Sequence, residues 1–449
     1  MKTILINPAG SVKEECCSGK VLYKTLPSQI FLAARYLMDN KKDIDVVDAQ
    51  TQEIPKLDKY DIVVVWVCVF DTFYSDIALL KRAKKQGKTT IMVLNDPMGV
   101  ELDIMKDFAF IDICIRLYER EIVLNKVIEY LQQKKEFDFK GIIYRKNGKI
   151  VDKGEMPFGT NVDYLKSHKD IIKKLPLRDY QLAHITPGRG CPMACTFCQY
   201  RKSGSRQRKI REVMEEFDLI SKNIPEIYFN DPNMISNLKW FNEFLDELIR
   251  RKNKKEWKAD LRIDLCSEKI LRKLKKAGCK SILFGIESLD QRIVEKIQKN
   301  IPIKEGTEAV KKCEKVGLVP DVTFMIGFPW DDDESIKKIY EFIKKSNVIN
   351  FGITFVMPIK GTPLYEDYKE LGLIKKDLSY QDYINARFDI PVSNTLHLSK
   401  KELARWFKKI QRLRFRSMYI LKYIRFFGLR LKLIKTFLIL FRRYFSGHT

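Results

Sequence analysis

Short apolar runs alternate with amphipathic segments along the first 130 residues of the chain. The runs are rich in β-branched residues, which is typical of strands that are buried on both faces of a parallel sheet. Between the runs, residues 30–38, 75–85 and 121–132 repeat apolar positions with a helical period. This alternation predicts a doubly wound α/β domain. The predicted strands are TILIN, DIDVVDA, YDIVVVWVCVF, KTTIMVLN and FIDICIR.

Four segments follow from this pattern along the whole chain. Residues 1–135 form the Rossmann-like domain, and residues 136–180, which contain a predicted hairpin in GIIYRKNGKI, form a linker. Over residues 181–375, strands and helices alternate six times, which predicts a partial (βα)6 barrel with its chemistry at the carboxyl ends of the strands. Residues 376–449 are predicted to be helical. The barrel strands are predicted in LAHIT, EIYFN, KADLRID, SILFGIES, DVTFMIGFP and FGITFVMP.

Composition agrees with a folded chain of this organisation. A length of 449 residues suits two domains and an appendage, and a hydrophobic content of 45% can fill packed cores. The opening sequence MKTILINPAG lacks the long apolar region of a secretory signal, which predicts a cytoplasmic protein. The chain has ten cysteines, but three of them are clustered, and this favours metal ligation in a reducing compartment over disulfides.

The clustered cysteines lie in GRGCPMACTFCQY, directly after the first predicted barrel strand. Cys191, Cys195 and Cys198 have the spacing Cys-x-x-x-Cys-x-x-Cys. Three thiolates on one loop can hold three irons of a four-iron four-sulfur cluster and leave the fourth iron open. Structural zinc sites and electron-transfer clusters usually have four protein ligands, so an open iron predicts that a substrate or cofactor binds there. A zinc site with a remote fourth ligand is the alternative that the spacing alone permits.

The cysteine motif resembles the defining motif of the radical S-adenosylmethionine (SAM) superfamily, in which an aromatic residue precedes the third cysteine. Phe197 occupies that position. The resemblance implies that Cys191, Cys195 and Cys198 hold a 4Fe-4S cluster and that the open iron chelates the amino and carboxylate groups of SAM. An electron from the cluster then cleaves the carbon–sulfur bond, and a 5′-deoxyadenosyl radical abstracts hydrogen. A reductant protein such as ferredoxin or flavodoxin is the implied partner.

Further segments between residues 180 and 370 resemble the SAM-binding positions of the family. The resemblance implies that YFNDPN contacts the methionyl amino group, that LRID contacts ribose or carboxylate, and that MIGFPWDDDES approaches adenine. FGIES is a further match, and MPIKGTPLY resembles the segment that closes the barrel. Taken singly, each residue could equally belong to a turn or helix cap. The SAM-binding candidates are Phe197, Asn230, Asp231, Arg262, Asp264, Gly285, Glu287, Ser288, Gly327 and Pro329.

An α/β domain ahead of such a barrel resembles the cobalamin-binding members of the superfamily, which include methylases of unactivated carbons. The resemblance implies cobalamin as a further cofactor, but the chain departs from the family at two points. The usual Asp-x-His-x-x-Gly is replaced by DAQTQEI, and the absence of histidine before residue 130 excludes histidine ligation from this domain. Glycine-rich turns are replaced by NDP at residues 95–97 and LYER at residues 117–120, where bulky side chains would crowd a nucleotide tail. The sequence therefore leaves cobalamin binding open, and the alternative is a degenerate domain that is kept for packing or substrate contact.

The C-terminal segment carries much of the formal net charge of +25. After Glu402 it has no acidic residue, and apolar positions recur with a helical period between residues 406 and 445. Its apolar runs are too short to span a bilayer, so we predict a helix that lies peripherally on an anionic membrane. A helix packed against the barrel or a partner subunit, and an RNA-binding segment, are the alternatives. The cationic residues are Arg405, Lys408, Lys409, Arg412, Arg414, Arg416, Lys422, Arg425, Arg430, Lys432, Lys435, Arg442 and Arg443.

These features together predict a radical SAM enzyme that modifies a carbon centre of a lipid or secondary metabolite. Cobalamin-dependent methyl transfer is the commonest outcome that the resemblance implies, whereas the catalytic hydrogen donor stays unassigned. An RNA-modifying methylthiotransferase is the alternative enzyme, but it needs three N-terminal cysteines, and Cys16, Cys17, Cys68 and Cys114 offer no convincing set. Nucleic acid therefore ranks below a small molecule or lipid. A non-enzymatic membrane or RNA adaptor would leave the three-thiol loop unexplained.

Overall fold

The computed structural model describes residues 1–8, 24–70, 72–95, 98–116, 118–346, 348, 350–386 and 389–415. The chain divides into two compact units. Unit 1 comprises residues 1–191, 203–240 and 378–385, and unit 2 comprises residues 192–202, 241–377 and the described residues from 386 onward. Each unit thus draws on separate parts of the chain. The four segments expected from the sequence remain a prediction about domain organisation.

The secondary structure of the described residues alternates strands and helices along most of the chain. The strands are β1 (Thr3–Asn7), β2 (Thr25–Leu26), β3 (Ile44–Asp48), β4 (Ile62–Val67), β5 (Thr89–Leu94), β6 (Ile113–Ile115), β7 (Ile142–Lys146), β8 (Lys149–Asp152), β9 (Leu182–Ile185), β10 (Gly188–Arg189), β11 (Arg206–Gln207), β12 (Glu226–Phe229), β13 (Trp257–Asp260), β14 (Cys279–Glu287), β15 (Val319–Ile326) and β16 (Asn350–Phe355). The α-helices are α1 (Ser28–Asp39), α2 (Phe73–Lys85), α3 (Glu101–Asp107), α4 (Arg120–Gln133), α5 (Lys169–Ile172), α6 (Ile210–Asn223), α7 (Leu238–Arg250), α8 (Glu268–Lys276), α9 (Gln291–Lys296), α10 (Ile303–Lys315), α11 (Asp333–Lys345), α12 (Pro363–Glu370), α13 (Tyr380–Ala386) and α14 (Lys400–Gln411).

Unit 1 contains the Rossmann-like sheet that the sequence predicts. Its strand order is β3-β1-β4-β5-β6-β7-β8, and the first five strands are parallel. Counted along the chain without β2, that parallel part has the order 2-1-3-4-5 of flavodoxin-like folds. Every residue of β1 and β4 is buried, as expected for strands covered on both faces. The hairpin predicted within the linker is the antiparallel pair β7–β8, which extends this sheet through β6.

The six strands predicted for the barrel are present as β9, β12, β13, β14, β15 and β16. In unit 1, β9 pairs in parallel with both β2 and β12. In unit 2, β13 to β16 pair in parallel in chain order. Alternate residues of β15 and β16 are buried against helices, since Phe324 packs on Phe342 of α11 at 5.9 Å between ring centroids. The intervening residues, such as Thr323 and Thr354, are only half-buried on the opposite face.

The predicted strand in KADLRID is shorter in the structure than in the prediction. β13 ends at Asp260, and residues Ile263–Leu265 form a short 3-10 helix. The guanidinium of Arg262 donates to the carbonyl of Lys299 at 2.7 Å, so it ties the chain after β13 to a separate loop. Arg262 and Asp264 therefore lie on a loop at the carboxyl end of the strand, where ligand-binding residues of such folds gather.

The C-terminal helix α14 packs into unit 2. Its apolar residues Leu403, Phe407 and Ile410 are buried, and the ring of Phe407 stacks on Phe355 of β16 at 4.9 Å. Ile410 belongs to the segment of residues 406–445 that was predicted to lie on a membrane, and it is buried within the protein. The remainder of that segment, residues 416–445, lies outside the described residues. Among those that are described, no helix is both long and apolar enough to cross a bilayer.

Candidate functional site

The cysteine loop leaves β10 through a glycine whose conformation is tightly constrained. Gly190 has φ +82°, in the left-handed region that favours glycine. A Cβ atom at this position would lie 2.1 Å from the carbonyl oxygen of Gly204. The two backbone segments that flank the loop can approach this closely only because Gly190 lacks a side chain. Beyond Gly204 the chain pairs with β10 again as β11.

Cys191 is the first thiol of the loop and is fixed at three points within unit 1. Its backbone N–H donates to the hydroxyl of Ser203 at 2.9 Å, and the N–H of Ser203 donates to the carbonyl of Cys191 at 3.0 Å. The side-chain amide nitrogen of Asn233 lies 3.7 Å from the sulfur of Cys191 and donates to it. The position of this sulfur is therefore set by the protein itself.

Cys195 and Cys198 belong to unit 2 and share one turn. The N–H of Cys198 donates to the carbonyl of Cys195 at 3.2 Å. Thr196, between them, donates through its N–H to the carbonyl of Ile297 at 2.9 Å and accepts at its own carbonyl from the N–H of Leu364 at 3.1 Å. The turn is thus tied to the end of α9 and to the start of α12, which hold its thiols in place.

A half-buried lysine accompanies the second thiol. The ammonium of Lys299 lies 6.0 Å from the ring centroid of Phe197 and 3.1 Å from the carboxylate of Glu287. Burial by itself lowers the pKa of Lys299, but the carboxylate of Glu287 and the thiolate of Cys195 raise it above its ordinary value. The side chain is therefore a permanent cation beside the predicted cluster ligand.

The donor set fits an iron–sulfur cluster. The three cysteines of the loop form no disulfide bond. No group of three or more His, Cys, Asp or Glu in the described part of the chain is arranged around a single metal ion. A cubane cluster instead takes one thiolate on each of its irons, so its ligands need not converge on one point. Two polar atoms, Thr196 Oγ1 in unit 2 and Asn233 Oδ1 in unit 1, are buried without a protein partner and could bind a ligand.

Four of the SAM-binding candidates lie together in unit 2. Arg262 Nε is 2.8 Å from the carboxylate of Asp264, and Arg262 also donates to the carbonyl of Lys299. The side chain of Lys299 in turn pairs with Glu287, which has φ +67° where the pairing of β14 with β15 is irregular. A Cβ atom on Gly285 would lie 2.2 Å from Glu287 Oε1, so glycine makes room for this carboxylate. The sequence analysis missed Lys299, since nothing distinguishes it from other lysines in a lysine-rich chain.

Gly327 lies in a turn that a buried carboxylate organises. The N–H groups of Gly327 and Phe328 donate to Asp331 Oδ2 at 2.8 and 3.0 Å, and the hydroxyl of Ser335 donates to Asp331 Oδ1 at 2.6 Å. The hydroxyl of Tyr368 donates to the carbonyl of Gly327. Burial raises the pKa of Asp331 to about 7, although these hydrogen bonds act in the opposite direction. Asp331 was not predicted as a site residue, although it lies within the predicted adenine-binding motif MIGFPWDDDES.

In the segment after β12, the side chain that contacts the cysteine loop is Asn233, whereas the sequence predicted roles for Asn230 and Asp231. Asn230 continues the strand pairing, donating its N–H to the carbonyl of Ile185 at 2.8 Å. The carboxylate of Asp231 accepts the N–H of Asn233 at 2.8 Å. It is Asn233, the last residue of YFNDPN, whose side chain reaches a cysteine sulfur. SAM contact by Asn230 and Asp231 remains a prediction.

Ser288 and Pro329 have local structural roles in unit 2. The hydroxyl of Ser288 accepts the N–H of Asp290 at 3.2 Å, and Asp290 caps the N-terminus of α9. The carbonyl of Pro329 accepts the N–H of Leu396 at 2.8 Å. These contacts are the turn and cap functions that Ser and Pro often serve, and the SAM-binding roles of both residues stay predictions.

The turn before α4 in unit 1 replaces a glycine-rich turn of the resembling family. Glu119 has φ 52°, so a glutamate takes the left-handed conformation that glycine would favour. Its carboxylate accepts the N–H of Gly159 at 3.1 Å and is also bound by Arg206 and the hydroxyl of Tyr164. Burial raises the pKa of Glu119, but these partners outweigh it and hold the pKa below its ordinary value. The carboxylate of Glu119 is therefore bound by residues of unit 1, and the backbone of Glu119 retains the left-handed conformation of the turn.

The other position at which bulky residues were expected to crowd a nucleotide is only partly described. Asp96, Pro97 and Leu117 lie outside the described residues. The guanidinium of Arg120 donates to the carbonyl of Asn95 at 3.0 Å, next to the carboxyl end of β5.

Among the described residues, no cysteine outside the loop belongs to a group of three ligands that could hold a metal ion. Cys16 and Cys17 lie outside the described residues, and Cys114 is buried within β6, where burial raises the pKa of its thiol well above the ordinary value. Cys68 is half-buried. Cys114, Cys266 and Cys279 are buried outside the loop and form no disulfide.

Comparison with known proteins assigns the cysteine loop to a family. Residues 185–343 match the model of the radical SAM superfamily. The chain is 26% identical over 433 residues to an uncharacterized methyltransferase of Pyrococcus horikoshii, and the match covers 91% of each protein. It is 26% identical over 236 residues to bacteriochlorophyllide d C-8(2)-methyltransferase of Chlorobaculum tepidum, covering 48% of this chain and 50% of that protein.

A solved structure shares the fold. The radical SAM methyltransferase TsrM of Kitasatospora setae, with cobalamin and a 4Fe-4S cluster bound, gives a TM-score of 0.67 at 15% identity. The match covers 82% of this chain and 78% of that one. The α/β architecture with parallel sheets therefore matches that of a cobalamin-dependent radical SAM enzyme, and residues 185–343 form a radical SAM domain.

Proposed function

We propose that the protein is a cobalamin-dependent radical SAM methyltransferase that acts on carbon. The observation that carries the proposal is the loop of Cys191, Cys195 and Cys198 at the end of the first strand of a radical SAM domain, preceded in the chain by a flavodoxin-like sheet. When bound, the cluster would supply the electron that cleaves SAM, and cobalamin would supply a carrier for the methyl group.

In this proposal the charged residues of unit 2 bind and orient SAM. Arg262 and Lys299 are cationic, and Asp264 and Glu287 are anionic, so the group can pair with both the carboxylate and the ammonium of a methionyl moiety. The turn that begins at Gly327 would let the backbone approach adenine closely, because Gly327 has no side chain and Asp331 holds the turn in one conformation. The three cysteines hold the cluster.

Cobalamin would bind at the carboxyl edge of the parallel sheet in unit 1. In sheets with the order 2-1-3-4-5, ligands bind where the strand order reverses, which here lies between β1 and β4. The left-handed turn at Glu119 keeps a backbone path that glycine allows in the family, with the carboxylate drawn into contacts with Arg206 and Tyr164. The sequence provides no histidine ligand in this region, so the corrin would be held without one.

The substrate in this proposal is a small metabolite or lipid. A relative named as bacteriochlorophyllide d C-8(2)-methyltransferase supports a metabolite as the methyl acceptor. A ferredoxin or flavodoxin would deliver the electron.

The test is anaerobic reconstitution with iron, sulfide and hydroxocobalamin, followed by gel filtration and incubation with SAM and a reductant. We expect a retained corrin, absorbance near 400 nm from the thiolate-bound cluster, and formation of S-adenosylhomocysteine and 5′-deoxyadenosine. Cys195→Ala should lose both the cluster absorbance and SAM cleavage, whereas Cys279→Ala, which removes a buried thiol outside the loop, should keep both.

Two results would contradict separate parts of the proposal. Undiminished 5′-deoxyadenosine formation by Cys195→Ala would overturn the cluster assignment. An enzyme that cleaves SAM but retains no corrin would overturn the cobalamin assignment alone.

A further inference from the structure

A side-chain amide lies against the sulfur of one predicted cluster ligand. Asn233 Nδ2 is 3.7 Å from Cys191 Sγ, within the range of a hydrogen bond to sulfur. The residue is 2% exposed, so water has little access to compete for this contact. Both groups belong to unit 1.

The backbone holds this amide in place. The N–H of Asn233 donates to the carboxylate of Asp231 at 2.8 Å, and its carbonyl accepts from the N–H of Ser236 at 3.0 Å and from the hydroxyl of Ser236 at 2.8 Å. Because the backbone is fixed in this way, only the side-chain torsions of Asn233 need to be ordered for the amide to bond to the sulfur.

The chemistry of the sulfur fixes which end of the amide faces it. A cysteine that binds iron is a thiolate, which offers lone pairs and no proton. The NH2 group is therefore the end that can interact favourably, and the amide oxygen is left on the other side, buried and without a protein partner.

We propose that Asn233 raises the reduction potential of the cluster by donating a hydrogen bond to the sulfur of Cys191. The inference rests on the proposed function, because it needs a cluster bound at this cysteine. Reduction adds negative charge to the cluster and its thiolates. A hydrogen bond to a ligand sulfur stabilises that charge, and such bonds are one of the factors that set cluster potentials. Asn233 is thus a positioning residue that acts through Cys191.

The test compares the midpoint potential of the reconstituted cluster in full-length variants, by redox titration followed by electron paramagnetic resonance. Asn233→Leu keeps the approximate size and removes the donor, so we expect a more negative midpoint potential. Asn233→Asp replaces the donor by an anion, so we expect a larger shift in the same direction. Asn237→Asp is the matched control, since it makes the same change at an exposed asparagine whose side chain bonds to Gln207 and Trp240.

A second measurement uses the wild-type chain, so it tests the inference even if the Asn233 variants fail to assemble a cluster. With asparagine labelled by ¹⁵N at the side-chain amide, pulsed electron paramagnetic resonance of the reduced cluster should detect a ¹⁵N coupling. Asn237→Asp should retain the coupling. Absence of the coupling in the wild-type protein would overturn the inference even if every Asn233 variant were unstable.

The outcomes separate this inference from the proposed function. Unchanged midpoint potentials in both Asn233 variants, with full cluster content and SAM cleavage, would overturn the role of Asn233 and leave the enzyme assignment intact. Failure of the wild-type protein to assemble any cluster would instead overturn both.

Discussion

Two buried glutamates adopt backbone conformations that favour glycine. Glu119 and Glu287 have φ values of 52° and 67°. A left-handed conformation at a residue other than glycine costs about 1–3 kcal/mol and persists only where the surroundings enforce it. Arg206 and Tyr164 bind the carboxylate of Glu119, and Lys299 pairs with Glu287. In each case the ion pair offsets the cost and aims the carboxylate at one place.

The buried carboxyl of Asp331 predicts that the stability of the protein depends on pH. Burial raises its pKa from an ordinary value of 3.8 to about 7, so the folded protein binds this proton more tightly than the unfolded chain does. Its contribution to stability is therefore complete below about pH 4 and is lost as the pH rises towards 7. A difference of about three pKa units corresponds to about 4 kcal/mol, at about 1.4 kcal/mol per unit.

Asp331→Asn mimics the protonated acid and can keep the bonds to Gly327 and Phe328. We expect its free energy of unfolding to lack this decrease between pH 4 and pH 7, so that the variant gains stability relative to the wild type as the pH rises. Urea denaturation at a series of pH values measures the difference. Parallel pH profiles for the two proteins would show that the Asp331 carboxyl does not titrate in this range.

Helix α14 is an amphipathic element whose apolar face packs against other residues of unit 2. The pair Ser399 and Glu402 forms a capping box at its N-terminus, and Leu403, Phe407 and Ile410 occupy one face at helical spacing. The sequence pattern alone was compatible with a membrane surface or a protein surface. In the structure this face is filled by contacts with unit 2, including the stack of Phe407 on Phe355.

We therefore predict that Phe407→Ala destabilises unit 2, since removal of a buried phenylalanine side chain costs about 3–5 kcal/mol. Lys408→Ala is the control on the same helix, because Lys408 is exposed and alanine favours a helix. Guanidinium denaturation followed by circular dichroism checks both variants. A Phe407→Ala protein as stable as the wild type would show that α14 does not depend on this contact.

At the scale of the whole molecule, positive charge is distributed unevenly along the chain. The formal net charge is +25, and the residues after Glu402 contribute basic side chains without a single acidic one. The part of this segment that the structure describes packs through its apolar side, which leaves Lys408 and Lys409 exposed. The interfacial helix expected over the rest remains a prediction, since residues 416–449 lie outside the described residues.

The expected behaviour of that segment is binding to anionic vesicles. Each Arg or Lys near such a surface contributes about 1 kcal/mol, and the apolar side chains add burial in the acyl boundary. We expect the protein to sediment with anionic vesicles, to be partly released at high salt, and to lose binding when Leu431, Ile434 and Leu438 are changed to Ser. No sedimentation at low salt would contradict a membrane role. Binding to RNA that survives the triple substitution would instead point to phosphate contacts.

Regular and motif-based features could be predicted from the sequence because they depend on neighbours in the chain. The strands of the Rossmann-like sheet and of the barrel could be predicted from continuous apolar runs. The helices could be predicted because apolar residues recur in them with a helical period. The cysteine loop follows from a spacing within eight residues. The prediction was wrong where contacts between distant residues determine the local structure. Strand β13 is shorter than predicted, and Arg262 ties the residues after it to the loop at Lys299.

The sequence by itself determined the fold class and the order of strands and helices, since periodicity and β-branched runs encode both. Local spacing predicted the three thiols of the loop as cluster ligands. The tertiary structure decided which side chains surround those thiols. Asn233 lies 42 residues from Cys191 in the chain yet reaches its sulfur, and Lys299 shares a buried charged group with Glu287. Nothing in the sequence pattern distinguishes these two from other asparagines and lysines, because their roles come from burial and from contacts that form only when distant segments pack.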